Sequence, residues 1–194
     1  MRHVLLMIYI ACVIAAVPAR AQEEARIPAV KVAVERMHEN GQGFYQVRAE
    51  AFVPVAAQAV WKVLTDYDRF HQYVPGITTS KVVSRSENDI VIEQEGRAAF
   101  LFFSHHIHLV VRALEQPFSR IDIVLVSGDM KVYESHWELM AETQDGVGGT
   151  RINYSGRLEP DFFLPAMFGN GIIRSDGEKM LAAVIAEIGK TTAP

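Results

Sequence analysis

From Thr79 to Glu159 the chain repeats one device: a run of residues alternating between apolar and polar, then a short link rich in glycine, asparagine, aspartate or proline. A period of two places every second side chain on the same face of an extended strand. The runs are Thr79–Arg85, Asp89–Arg97, Phe100–Leu114, Arg120–Val126, Lys131–Glu142 and Thr150–Glu159. Their links, Ser86-Glu87-Asn88, Gln116-Pro117, Ser127-Gly128-Asp129 and Asp145 to Gly149, are too short for a crossover, so each strand returns antiparallel beside the one before. An earlier run from Phe44 to Val53 adds a seventh strand, with Tyr45, Val47, Ala49, Ala51 and Val53 on one side and Gln46, Arg48 and Glu50 on the other; Pro54 ends it.

Two segments change period. In Ala56–Thr65 and just beyond, Val60, Val63, Leu64 and Tyr67 fall at i, i+3, i+4 and i+7, one apolar stripe of a helix. Asp66 is placed to cap a second short helix carrying Tyr67, Phe70 and Tyr73, which Pro75-Gly76 stops. Near the end, Ile173, Met180, Leu181, Val184 and Ile188 mark a long amphipathic helix, with Asn170 near its start and Gly189 near its end. Between the last strand and that helix, Pro165 interrupts an aromatic-rich stretch, Phe162 to Phe168. A sheet with one apolar face and a single long helix must bury those surfaces against each other. Where a long sheet curls, the two cannot touch everywhere, and a cavity is expected between them.

Several local strings add to this. Pro54-x₅-Val60-Trp61-x-Val63-Leu64-Thr65-Asp66-Tyr67, then Tyr73-Val74-Pro75-Gly76-Ile77, Gly128-Asp129 ahead of Trp137, and Glu159-Pro160 before the last helix resemble the START/polyketide cyclase/Bet v 1-like (SRPBCC) superfamily, in its coenzyme Q-binding and cyclase/dehydrase branch. The resemblance covers roughly Gly43 to Lys190. It implies an α+β helix-grip fold: a curved seven-stranded antiparallel sheet wrapped around a long C-terminal helix, with two short helices after strand 1 and a hydrophobic cavity. Lipid and sterol carriers, quinone-binding proteins, hormone receptors and a few cyclases share it. The superfamily has no common catalytic set, so no residue role is carried over.

Alternation aims some polar side chains inward. Gln94 shares a parity with Ile90 and Ile92; Tyr133, Ser135 and Trp137 share one with Leu139; Tyr154 shares one with Ile152 and Leu158. Apolar walls bearing a few placed polar groups are what a small-molecule pocket looks like. Phe103 and His105 fall on the inward parity of their strand, and Phe163, Met167 and Ile173 bring the aromatic-rich stretch and the last helix to the same cavity. His105 is the one candidate acid or base, set against a rim or core histidine bonded to backbone. The cluster His105-His106-x-His108 raises a metal reading, but strand parity turns His106 and His108 outward, away from His105, and no further ligand stands nearby in sequence. Neither a metal nor a cofactor is therefore expected. Glycine-rich phosphate loop and nucleophile elbow are both missing from the sequence.

The N-terminus points to export. Arg2 and His3 precede an apolar run, Val4 to Val17, and Ala19-Arg20-Ala21 is a small-x-small cleavage pattern. Residues 1–21 read as a signal peptide cut after Ala21, 22–42 as a charged leader in which Ala29 to His38 suits a short helix, 43–190 as the domain and 191–194 as a tail. Cleavage would remove Arg2 and Arg20 but no acid, taking the net charge from −4 to −6, together with Cys12, the one cysteine. An acidic surface without a Lys/Arg cluster excludes nucleic acid. The location expected is periplasmic or secreted. Three functions fit: a carrier of a hydrophobic small molecule, with brief membrane contact through Phe162–Phe168; a cyclase, dehydratase or isomerase pairing His105 with Tyr133 or Tyr154; and an envelope interaction module gripping a protein through Phe162–Phe168.

Overall fold

Asn40 and Gly41 take φ of +52° and +80°, the left-handed pair that a tight hairpin of matching twist requires. In the computed structural model, which describes residues 30–100, 103–164 and 166–192, they join strand β1 (Lys31–Glu39) to β2 (Gln42–Val53). The ladder between them is unbroken from Lys31↔Glu50 to Glu39↔Gln42. The sheet therefore has eight strands and not the expected seven, and the expected helix is corrected to a strand over Lys31–Glu39. Val32 and Val34 explain why: they lie two apart, at 9% and 6% exposure, opposite Ala49 and Val47. Charged residues follow Val34, so the run carries too few apolar positions to declare its period on its own.

The remaining strands are β3 (Ile77–Ser86), β4 (Asp89–Phe100), β5 (Phe103–Gln116), β6 (Arg120–Gly128), β7 (Met130–Gln144) and β8 (Val147–Pro160). Their order, β1-β2-β8-β7-β6-β5-β4-β3, is that of a meander from β3 to β8 closed onto the first hairpin, and every pairing is antiparallel. Helix α1 (Ala57–Leu64) buries Val60, Trp61, Val63 and Leu64. Its Trp61 meets the ring of Phe118 edge-on at 5.8 Å, which ties the helix to the β5–β6 turn. A 3-10 turn (Tyr67–Arg69) runs into α2 (Phe70–Tyr73). Asp66 does not cap it: its carboxylate pairs with Arg69 instead. Exposed Asp68 accepts a 2.7 Å bond from the Val82 amide, and buried Tyr67 donates to Glu115 at 2.9 Å. These two bonds fasten the short helices over the β3 side of the sheet.

Helix α3 (Ala166–Thr192) starts earlier than the sequence suggested and runs through Gly189. It leans on β1, β2, α1 and α2. Gly177 faces Val32, and Leu181, Val184, Ile185 and Ile188 are buried. The added strand thus supplies a large part of the bed on which the helix lies.

A half-exposed sheet face beside the last helix

Inward side chains near α1 and the short helices are closed off: Ile90, Ile92, Val111, Ala113, Ile121 and Ile152 are at most 2% exposed. Toward the β6–β7 turn the same face opens. Ile107, Ile123, Leu125, Tyr133 and Leu158 pack against the core yet remain only half-buried. The register aligns Ile92, Val111 and Leu125 in one row, and Tyr133, Leu158 and Tyr45 in its continuation. Helix α3 leans on the β1–β2 end of that row, so the rest of the row is only partly covered.

Part of this face is polar. Tyr154 on β8 stands beside Trp137 on β7, with ring centroids 4.7 Å apart. Its phenol lies along its own strand over Gly156, where a Cβ would come within 2.9 Å of the hydroxyl oxygen. Opposite Gly156 is Ser135, 2% exposed, whose hydroxyl is the hydrogen-bonding neighbour of the Tyr154 oxygen. Tyr133 comes two residues earlier on the same face of β7. Burial raises the phenols of both tyrosines above their usual range; for Tyr154 the neighbouring Tyr133 adds to this while Ser135 works against it. Both hydroxyls accordingly keep their protons at any physiological pH.

The β8–α3 loop lies across the end of this face. The Asp161 amide donates to the Asp129 carbonyl at 3.0 Å, Lys131 pairs with Asp161 at 3.3 Å, and Phe162 stacks on His105 with centroids 4.3 Å apart and planes 29° from parallel. The turn that receives the loop is itself clasped to β5. Asp129 accepts from the His108 amide at 2.8 Å, and Gly128, at φ +126°, lies so close to the His108 carbonyl that a Cβ there would be 2.2 Å from it. Across the rim, Arg36 pairs with Glu159 and covers the Tyr45 ring at 4.3 Å. The Tyr45 hydroxyl in turn presses on Gly169 of α3.

Of the residues named from sequence, Tyr133, Ser135, Trp137 and Tyr154 come together on this face. Gln94 is half-buried and donates to Ser80 at 3.2 Å, and Ile173 is half-buried against the core. Phe103 opens β5, but its side chain lies outside the described residues, as do residues 1–29 with the signal-peptide reading. Phe163 and Met167 are corrections: at 88% and 82% exposure they face solvent, because Leu164, between them in sequence, is the residue the loop turns inward. His105 is exposed at the rim. Tyr133 belongs to the row of Val111, six residues away along β5, or about 20 Å of extended strand, so no His–Tyr pair forms. His106 and His108 point outward to Glu95 and Glu93, at 3.9 and 2.9 Å. Among the described residues no three His, Cys, Asp or Glu side chains gather as metal ligands.

Sequence reasoning missed Arg36, which was invisible once β1 was taken for a leader. It also missed Gly156, although a glycine in an inward slot between Tyr154 and Leu158 is a signal of close packing.

The fold has wide company. A STAR-related lipid transfer protein from Xanthomonas axonopodis is 16% identical, with 83% of this chain and 94% of that one covered at a TM-score of 0.60. The Zhui aromatase/cyclase from Streptomyces sp. R1128 is 14% identical over 77% and 96%, at 0.62. A START superfamily protein from Mycobacterium smegmatis is 13% identical over 76% and 99%, at 0.62. At these identities the likeness is one of fold. A comparison with curated proteins finds no match. The family model for polyketide cyclase / dehydrase and lipid transport matches residues 53–185, from the end of β2 into α3, and the chain belongs to that family.

Proposed function

We propose that this protein carries a hydrophobic small molecule (a lipid, quinone, sterol or polyketide-like compound) in a chamber between β4–β8, α3 and the β8–α3 loop. The observation that carries this is the graded burial of one sheet face: sealed at one end and half-exposed at the other, with the Tyr133 phenol along the half-exposed part. A folding core has no use for a row of half-exposed Ile, Leu and Tyr, whereas a site that must admit and release an apolar guest does. Membership of a family that includes lipid transport proteins agrees with it. The separation of His105 from the tyrosines argues against the acid–base alternative.

The test is mass spectrometry of an organic-solvent extract of the protein purified from its native envelope. One apolar compound near one-to-one stoichiometry is the expected result, and a folded protein with nothing extractable would remove the main support for the reading. Export belongs to the same proposal: the intact mass should correspond to a chain beginning at Gln22.

The outward Phe163 and Met167, beside half-exposed Phe168, favour one addition. These side chains flank the loop that spans the chamber, so a membrane surface that takes them up would bring the mouth to the lipid from which cargo comes. Changing Phe163 and Met167 to Asp should abolish co-sedimentation with phosphatidylcholine vesicles while leaving the melting temperature unchanged; persistence of binding would locate the contact elsewhere.

A further inference from the structure

The sheet has two edges, and they are built differently. Edge strand β3 is broken by register shifts at Ile77/Thr79 and Val82/Ser84, its Val82 amide is taken by Asp68, and the 3-10 turn and α2 pack against it. Edge strand β1 pairs with β2 over nine residues without a shift. Helix α3 lies against its inner face, where Gly177 meets Val32. Among the described residues no group takes up the backbone amides and carbonyls on its outer rim. Shifts and covers blunt a sheet edge, whereas a long, regular one is a template for another strand. We infer that β1 is an interaction surface whose partner is β1 of a second copy of this chain, the two strands pairing antiparallel about a two-fold axis at Ala33. This contact is independent of any cargo.

The hairpin sets which backbone groups are free. Glu39 and Gln42 flank the two-residue turn as a mutually bonded pair, so alternate residues back to Lys31 turn their amides and carbonyls to β2. Val32, Val34, Arg36 and His38 turn theirs to the free rim. With the axis at Ala33, Val32 faces the partner's Val34 and Val30 faces the partner's Arg36, pairs that can exchange hydrogen bonds in both directions. The side chains select this register. Of the Lys, Arg and Glu side chains on β1, Arg36 is paired with Glu159 and Glu39 with Arg157, while Lys31 and Glu35 have no partner among the described residues. These two are exposed on the outer face, one on each side of Ala33. The two-fold therefore sets Lys31 against the partner's Glu35 and Glu35 against the partner's Lys31, with two alanines meeting at the axis. An axis at Glu35 would oppose like charges, and one at Val34 would set Lys31 against the partner's Met37.

Sedimentation equilibrium of the purified protein tests it: the mass should rise with concentration from one chain to two. Lys31→Glu and Glu35→Lys change exposed side chains, so each should keep the wild-type circular dichroism. Each should weaken the dimer about ten-fold, because two attractions become two repulsions. Joining the swaps in one chain should restore the wild-type affinity, and a mixture of the two single variants should associate more tightly than either alone. In a Cys12→Ser background, Ala33→Cys should form an inter-chain disulfide under dissolved oxygen, since the axis brings its two Cα atoms to about 4.5 Å, and Met37→Cys should not. The mass of one chain at every concentration up to about 1 mM would overturn the proposal. So would a dimer indifferent to both swaps, or one that cross-links through Met37→Cys and not through Ala33→Cys.

Discussion

Gly128 and Gly146 both have positive φ, +126° and +80°, but only one is also crowded. A Cβ on Gly128 would meet the His108 carbonyl and the Leu109 Cα, whereas nothing lies within 4 Å of one on Gly146. Urea unfolding should therefore show Gly128→Ala costing about 3 kcal/mol, as the sum of a disfavoured dihedral and a backbone clash, and Gly146→Ala about 1 kcal/mol. A second residue-scale expectation concerns acid. Burial alone would raise the Asp122 carboxyl, but the bonds from His136 and Arg120 outweigh it and hold the group below its ordinary range. A carboxyl whose folded pKa lies below its unfolded value adds stability above about pH 4 and loses it as pH falls through the folded value. Asp122→Asn should then cost roughly 1 kcal/mol near neutrality, and the gap to wild type should close in melts taken at progressively lower pH. A gap independent of pH would assign the loss to packing.

Among the elements, β1 has the most to answer for. It lies at the sheet edge, outside the residues matched by the family, yet α3 leans on it and Val34 is 6% exposed. Val34→Asp should destabilise the whole domain by about 3 kcal/mol or more, since it leaves an unpaired carboxylate beneath the helix. Amides of β1 paired into β2 should exchange as slowly as those of β8; rapid exchange would make β1 an ornament. The β8–α3 loop is the opposite case. Among the described residues it is held by a backbone bond, an exposed ion pair, a ring stack and the inward Leu164, contacts that are individually weak. Phe162→Ala should leave the melting temperature within a few degrees, while the release rate of a bound fluorophore rises several-fold as the span across the chamber loosens.

At the scale of the molecule, the fold separates a rigid end from an open one. The helices α1 and α2 are fastened by Tyr67, Asp68 and Trp61 to the β3 side and the β5–β6 turn. The opposite end is covered by a loop with two large apolar side chains turned to solvent. Burial of a ligand in that end should stabilise the native state in proportion to ligand excess over its dissociation constant. The melting temperature should rise with added apolar ligand in wild type and less in Gly156→Ala, where the polar part of the face is displaced. No described helix is long and apolar enough to cross a membrane.

The sequence alone determined the elements whose residues state their own period. The six strands from β3 to β8 were legible because alternation and turn residues are local, and Tyr133, Ser135, Trp137 and Tyr154 could be set on one inner face by parity alone. Parity is silent about neighbours at a distance. It could not reveal that Lys31–Glu39 is a strand, because two valines among charges become a strand only when β2 and α3 lie against them. It could not reveal that His105 is at the rim under Phe162, or that Phe163 and Met167 turn outward while Leu164 turns in. The part of the sheet that α3 covers, and so which inward side chains stay half-exposed, was decided by tertiary packing, since helix and sheet surfaces are complementary only where their side-chain volumes meet.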